Sequence, residues 1–302
     1  MRKRTIHFLF FLIIKISFAQ QTIPCHRVEM VTMKDGKIQN KITNEYDKFG
    51  NEILVSTYTY YTSNPVIYTV KNQYNSKNNL VKTSNFLNDK LLNEVNHQLD
   101  QSGNQNSFLS INQNGKTTQS SVFENGQKII NNFDENGSIF STEKIIYFGK
   151  NKSSISRFND KNNLVFEEKF VYNAEDMLIS AEKRDFLADI KINTKTTYNN
   201  LKLPVLVEEI VNDKLNSSTV FEYNLSGKTQ KFTKFNSKNE EEFRVELEYT
   251  NGLETATKSY YLNELVSIKQ KSYDEKNNLI KETQINKVGQ IISETFYKYS
   301  CQ

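Results

Sequence analysis

The stretch Tyr273–Glu282, YDEKNNLIKE, carries the string KNNL at Lys276–Leu279, and the same four residues stand at Lys77–Leu80 and Lys161–Leu164. Each copy follows an aromatic residue and an Asp or Asn: Tyr74-Asn75, Phe158-Asn159 and Tyr273-Asp274. Asn and Asp tolerate positive φ better than most residues and Gly tolerates it freely, so the string reads as a hairpin turn between two strands. The signal recurs with glycine in Tyr46-Asp47-Lys48-Phe49-Gly50-Asn51, Phe133-Asp134-Glu135-Asn136-Gly137 and Tyr223-Asn224-Leu225-Ser226-Gly227, and in short form at Asn125-Gly126 and Asn251-Gly252. The anchors step by roughly 12 residues, the spacing of strand and turn in an all-β array. A compositional bias toward Asn and Lys explains their abundance but not this spacing.

Between turns the apolar period is two. In Glu242–Tyr249, EFRVELEY, the side chains of Phe243, Val245, Leu247 and Tyr249 fall on one side and charged residues on the other, which predicts half-buried strands with one apolar and one wet face. Nearly twenty strands exceed the roughly 10 that a twisted open sheet holds without curling. The expected fold is therefore all-β, a curled antiparallel sheet of tandem β-hairpin repeats forming a single domain over residues 21–302. The sequence offers Cys25 and Cys301 near the two ends of that domain. Strands laid side by side at about 4.8 Å put these ends tens of ångströms apart, whereas a disulfide needs Cα atoms within about 7 Å. The expectation is an open array with the cysteines unbridged within the chain.

The first twenty residues, MRKRTIHFLFFLIIKISFAQ, have a cationic start, an apolar run from Phe8 to Ile14 and small residues at Ser17 and Ala19, the layout of a secretory signal peptide over residues 1–20. A retained membrane anchor fits less well, because Lys15 interrupts an apolar run far shorter than the roughly 20 residues of a spanning helix. The expected address is outside the cytoplasm, in the periplasm, on the outer surface or in the surroundings of a Gram-negative bacterium, with no stable membrane span after leader removal. The chain has 39 Lys and Arg against 35 Asp and Glu, and the leader alone holds Arg2, Lys3, Arg4 and Lys15, so the remainder balances. A neutral, mixed surface supplies no phosphate-neutralising stripe and excludes nucleic acid as the expected partner. With hydrophobic residues at 37% a thick core is not expected, while 20 Phe and 16 Tyr exclude a disordered chain.

The motifs Tyr46-Asp47-x-x-Gly50-Asn51, Phe133-Asp134-x-x-Gly137 and Tyr273-Asp274-x-x-Asn277-Asn278-Leu279 resemble the YD repeat of Rhs and teneurin-type shells, and are similar to MORN-type hairpins. The resemblance spans most of residues 41–300 and implies a β-shell that encloses or presents something. Neither a self-cleavage motif nor an unrelated tail follows the last copy, so only hairpin architecture carries over.

Reactive constellations are not legible. His26 and His97 have no C-x-x-C or H-x-x-x-H partner spacing, so no metal or other cofactor is expected. No G-x-S-x-G elbow or phosphate-cradling glycine loop occurs. Asp134-Glu135-Asn136-Gly137 begins like a calcium loop but lacks the later bidentate Glu, and reads as an Asx turn. The chain is thus expected to be no enzyme but a binding or scaffold module for a protein or glycan, with Tyr58, Tyr60, Tyr61 and Tyr261 as candidate contacts, amphipathic rings suited to either partner. Two alternatives differ in class. An outer-membrane β-barrel would need strands of 9 to 11 residues and an apolar outer band, where the spacing leaves about 8 per strand. A carbohydrate-active enzyme would need two carboxylates brought together across strands.

Overall fold

The computed structural model describes residues 25–101 and 105–301; the expected leader lies outside them, as do Ser102, Gly103 and Asn104 of one predicted turn. Its local unit is the predicted turn. Asp47 accepts the N–H groups of Phe49 and Asn51 on one side-chain oxygen, at 2.8 and 3.0 Å. The Gly50 N–H donates to the Asp47 carbonyl, and the Asp47 N–H donates to the Asn51 carbonyl. The fourth residue sits in the left-handed region, Gly50 with φ of 82°. KNNL is the same turn with Asn there: Asn78, Asn162 and Asn277 have φ of 61°, 60° and 64°, and Asn75, Asn159 and Asp274 make the paired side-chain bonds. A second kind of turn has two residues, both at positive φ, as in Asp35-Gly36, Asn88-Asp89, Asn125-Gly126, Asn212-Asp213 and Asn251-Gly252. That backbone matches the twist of the strands it joins.

The described residues form twenty-two strands, most of them joined by these two kinds of turn: β1 (Cys25–Lys34), β2 (Lys37–Tyr46), β3 (Glu52–Thr59), β4 (Val66–Tyr74), β5 (Leu80–Leu87), β6 (Lys90–Leu99), β7 (Gln105–Asn112), β8 (Thr117–Glu124), β9 (Gln127–Phe133), β10 (Ile139–Phe148), β11 (Asn151–Asn159), β12 (Leu164–Tyr172), β13 (Leu178–Asp185), β14 (Ile190–Tyr198), β15 (Pro204–Val211), β16 (Lys214–Tyr223), β17 (Thr229–Asn236), β18 (Glu241–Thr250), β19 (Leu253–Tyr261), β20 (Glu264–Tyr273), β21 (Leu279–Asn286) and β22 (Ile291–Cys301). Each pairs antiparallel with its sequence neighbours, and β1 also pairs antiparallel with β22, with Cys25 opposite Cys301 and Thr32 opposite Thr295. The all-β antiparallel expectation holds.

The open, curled array does not hold: the sheet closes into a 22-strand barrel. The physical reason is the edge. An open array leaves β1 and β22 with rows of unpaired N–H and C=O groups, and closure removes both edges. Divided over 22 strands, a full circle needs a turn of only about 16° per strand, within the reach of a twisted, tilted sheet. Laying the strands out flat was the error in the sequence-based distance. The cysteines are bridged, with a Cα–Cα distance of 4.1 Å across a sequence separation of 276.

The barrel wall is one sheet thick. Among the described residues no large side chain is fully buried, and of the apolar ones Ile145, Val245 and Ala256 alone fall below 9% exposure. Barrels of 16 to 18 strands already leave an aqueous channel, so 22 strands enclose more volume than inward side chains fill. The expected division into an apolar and a wet face is also corrected. Register places Lys234 beside Phe243, Thr219 beside Lys234, and Val207 beside Thr219 on a single face. The Phe232 ring, on that face, stands 6.0 Å from Phe221 and 6.2 Å from Phe243, an apolar island among polar neighbours.

Candidate binding surface

Hairpins alternate their turns between two rims. The terminal rim holds the disulfide and the turns after even-numbered strands; the far rim holds the turns after odd-numbered ones. Tyr58, on β3, stands opposite Lys41 and Ile67. Tyr60 and Tyr61 follow in the β3–β4 connection at the far rim, where the Tyr60 N–H donates to the Gln39 carbonyl and Tyr61 is 83% exposed. Tyr261 ends β19 at the same rim, half-exposed, opposite Phe243 and Glu264. The short way round from β3 to β19 crosses the β1–β22 junction and takes six strand steps, about 29 Å. Tyr58, Tyr60 and Tyr61 therefore form one cluster and Tyr261 stands apart on the same rim.

The sequence reading missed a second tyrosine set. At the terminal rim Tyr46, Tyr74, Tyr198, Tyr223, Tyr249 and Tyr273 each donate their hydroxyl to a main-chain carbonyl of the preceding strand, those of Arg27, Glu52, Leu178, Pro204, Thr229 and Glu254. A register shift falls immediately before each of these residues in its pairing with the next strand. Burial raises the Tyr198, Tyr223 and Tyr249 phenols above their ordinary value, keeping them protonated donors. The signal was the tyrosine just before each of these turns, an Asx turn in every case but that of Tyr249; its hydroxyl ties it to the preceding strand, so these rings are committed to the wall.

Charge is distributed over both faces. On the face of Phe243 lie Arg157–Glu143 at 2.9 Å and Lys183–Glu168 at 3.5 Å. On the other lie Lys41–Glu29 at 2.7 Å, Lys82–Glu94 at 2.6 Å, Lys231–Glu222 at 2.8 Å and Lys281–Glu294 at 2.7 Å. Lys298 and Lys41 flank Glu29 and hold its carboxyl below the ordinary range, as Lys82 does for Glu94.

A hollow of about 670 Å³ opens at the far rim between the β7–β8 and β9–β10 turns, lined by Leu109, Ser120, Phe133 and Glu135 among others. None of the four candidate tyrosines lines it. His26 stacks on Tyr46 with ring centroids 4.5 Å apart. His97, on β6, faces Phe108 across the β6–β7 pair, and its Nδ1 is buried without a hydrogen-bond partner among the described residues. Among the described residues no three His, Cys, Asp or Glu side chains come together as a metal site.

No family model matches the chain, and no curated protein does. Solved structures are similar at low identity. A porin-like protein from Bacteroides uniformis is 9% identical, with a TM-score of 0.35, the likeness covering 92% of this chain and 100% of that one. A porin-like protein from Bacteroides vulgatus is 10% identical, with a TM-score of 0.25 over 92% of this chain and 100% of that one. The TcdB2-TccC3-TEV structure is 11% identical, with a TM-score of 0.30, over 84% of this chain but only 15% of that one.

Proposed function

We propose that the chain is an exported, water-filled β-barrel that acts without catalysis as a binding or scaffold module at the cell envelope or outside the cell. The observation that carries this reading is the presence of ion pairs on both faces of the wall. Whichever face points outward, a lipid-facing surface would carry Lys and Arg near mid-strand, at about 2–4 kcal/mol each. In water the same pairs cost little. The Tyr58, Tyr60 and Tyr61 cluster and, separately, Tyr261 are the contacts proposed for a protein or glycan. We also read the Asx turns and their tyrosine staples as degenerate YD-type hairpins, since they give both letters of that repeat a structural role.

A second reading, an outer-membrane barrel, is favoured by the closure itself, because a closed, even-stranded antiparallel barrel is the architecture such proteins use. On architecture alone it is better supported than a repeat binding module. Strand length is divided: thirteen strands have the 9 to 11 residues such a barrel needs, and nine have 7 or 8. Fractionation distinguishes the two. Recovery in the periplasmic or medium fraction without detergent supports the water-filled module; recovery only with detergent establishes the membrane barrel instead. If the protein is recovered without detergent, pull-down from native envelope extract with wild type and a Tyr58→Ala/Tyr60→Ala/Tyr61→Ala variant tests the surface, the variant being expected to lose the captured partner. Equal capture by both would remove these residues from the site.

A further inference from the structure

Every neighbouring pair of strands but one is consecutive in the chain, with no more than six residues between them. The exception is the seam between β1 and β22, whose strands lie at opposite ends of the described chain. Both are anchored at the far rim, β1 to β2 through Asp35-Gly36 and β22 to β21 through the turn that begins at Asn286. At the terminal rim the covalent tie between them, among the described residues, is Cys25–Cys301. Cross-seam side-chain contacts include the Thr32–Thr295 hydroxyl pair at 3.1 Å and the Glu29–Lys298 ion pair, whose lysine is 73% exposed. Cys301 is itself an exposed residue at this rim.

We propose that the seam is a redox-gated clasp, closed by the disulfide and opened from the terminal rim when a dithiol reduces it. One thiolate of the dithiol attacks a cystine sulfur and forms a mixed disulfide as the Cys25–Cys301 bond breaks. Its second thiolate then displaces the other cysteine. The dithiol ends oxidised to its own disulfide, and the protein gains two electrons and two protons as two thiols. Freed at one rim and still anchored at the other, β1 and β22 part from the bonded end inward and present two unpaired edges, each suited to accept an added strand.

Hydrogen exchange on the folded, full-length mature protein, oxidised or treated with dithiothreitol, tests this. Reduction is expected to accelerate exchange at least tenfold within residues 25–34 and 291–301, and to leave β4–β20 within twofold of the oxidised protein. Exchange at the seam that stays within twofold overturns the gate, because the strands then hold without the bond. Equal acceleration across all strands overturns it too, since the bond would then stabilise the whole barrel and gate nothing. A Cys25→Ser/Cys301→Ser variant in the absence of reductant must reproduce the reduced pattern; if it fails to fold, reduction of the prefolded native protein still decides.

Discussion

Single side chains set the turns and staples, so their effects are local. Tyr223 donates its hydroxyl to the Pro204 carbonyl at 2.6 Å, and Tyr223→Phe removes that bond while keeping the ring. The expected loss is about 1 kcal/mol in urea unfolding, against no measurable change for the exposed control Tyr61→Phe. An equal, negligible effect at both positions would mean that the staple contributes no stability. His97 supplies a pH dependence. Burial lowers its pKa below the ordinary 6.5, so the folded state holds the neutral ring and the unfolded chain takes up the proton first. Stability is therefore expected to decline as pH falls below 6.5, and His97→Gln to flatten the profile between pH 6.5 and about 5, above the carboxylate range. An unchanged slope in the variant would assign it to other groups.

At the scale of the element the sequence was most legible. The Asx side chain, the left-handed fourth residue and the strand that follows are all local, and Asp274 to Leu279 spells the whole device in six consecutive residues. The turn Leu262-Asn263-Glu264 is legible as a turn, but not its backbone, in which a leucine takes φ of 48° against its own preference and stands 59% exposed. The left-handed region costs a Cβ-bearing residue about 1–2 kcal/mol, and Asn tolerates it better. Leu262→Asn is accordingly expected to raise stability by about 0.5–1 kcal/mol in thermal unfolding; a loss would show that the leucine side chain holds the turn by contacts.

For the whole molecule, local pattern was a poor guide. Strand alternation around Phe243 predicts an apolar face, yet a face is made by neighbouring strands together, and register sets Lys234 beside Phe243 and Thr219 beside Lys234. The candidate tyrosines were legible as rings suited to contact, but their division between β3 and β19 depends on ring order, which no single hairpin encodes. Closure is still more distant in sequence, because the β1–β22 pairing joins residues that share no turn. The one clue was the cysteine pair, and it was misread by assuming a flat sheet.

The two ends of the sheet meet at Cys25 and Cys301, and intact mass after alkylation of the unreduced, denatured monomer tests that junction. The barrel predicts no added alkyl group before reduction and two after it. Two alkyl groups on the unreduced monomer would contradict the closed, clasped barrel and restore an open sheet with its ends apart.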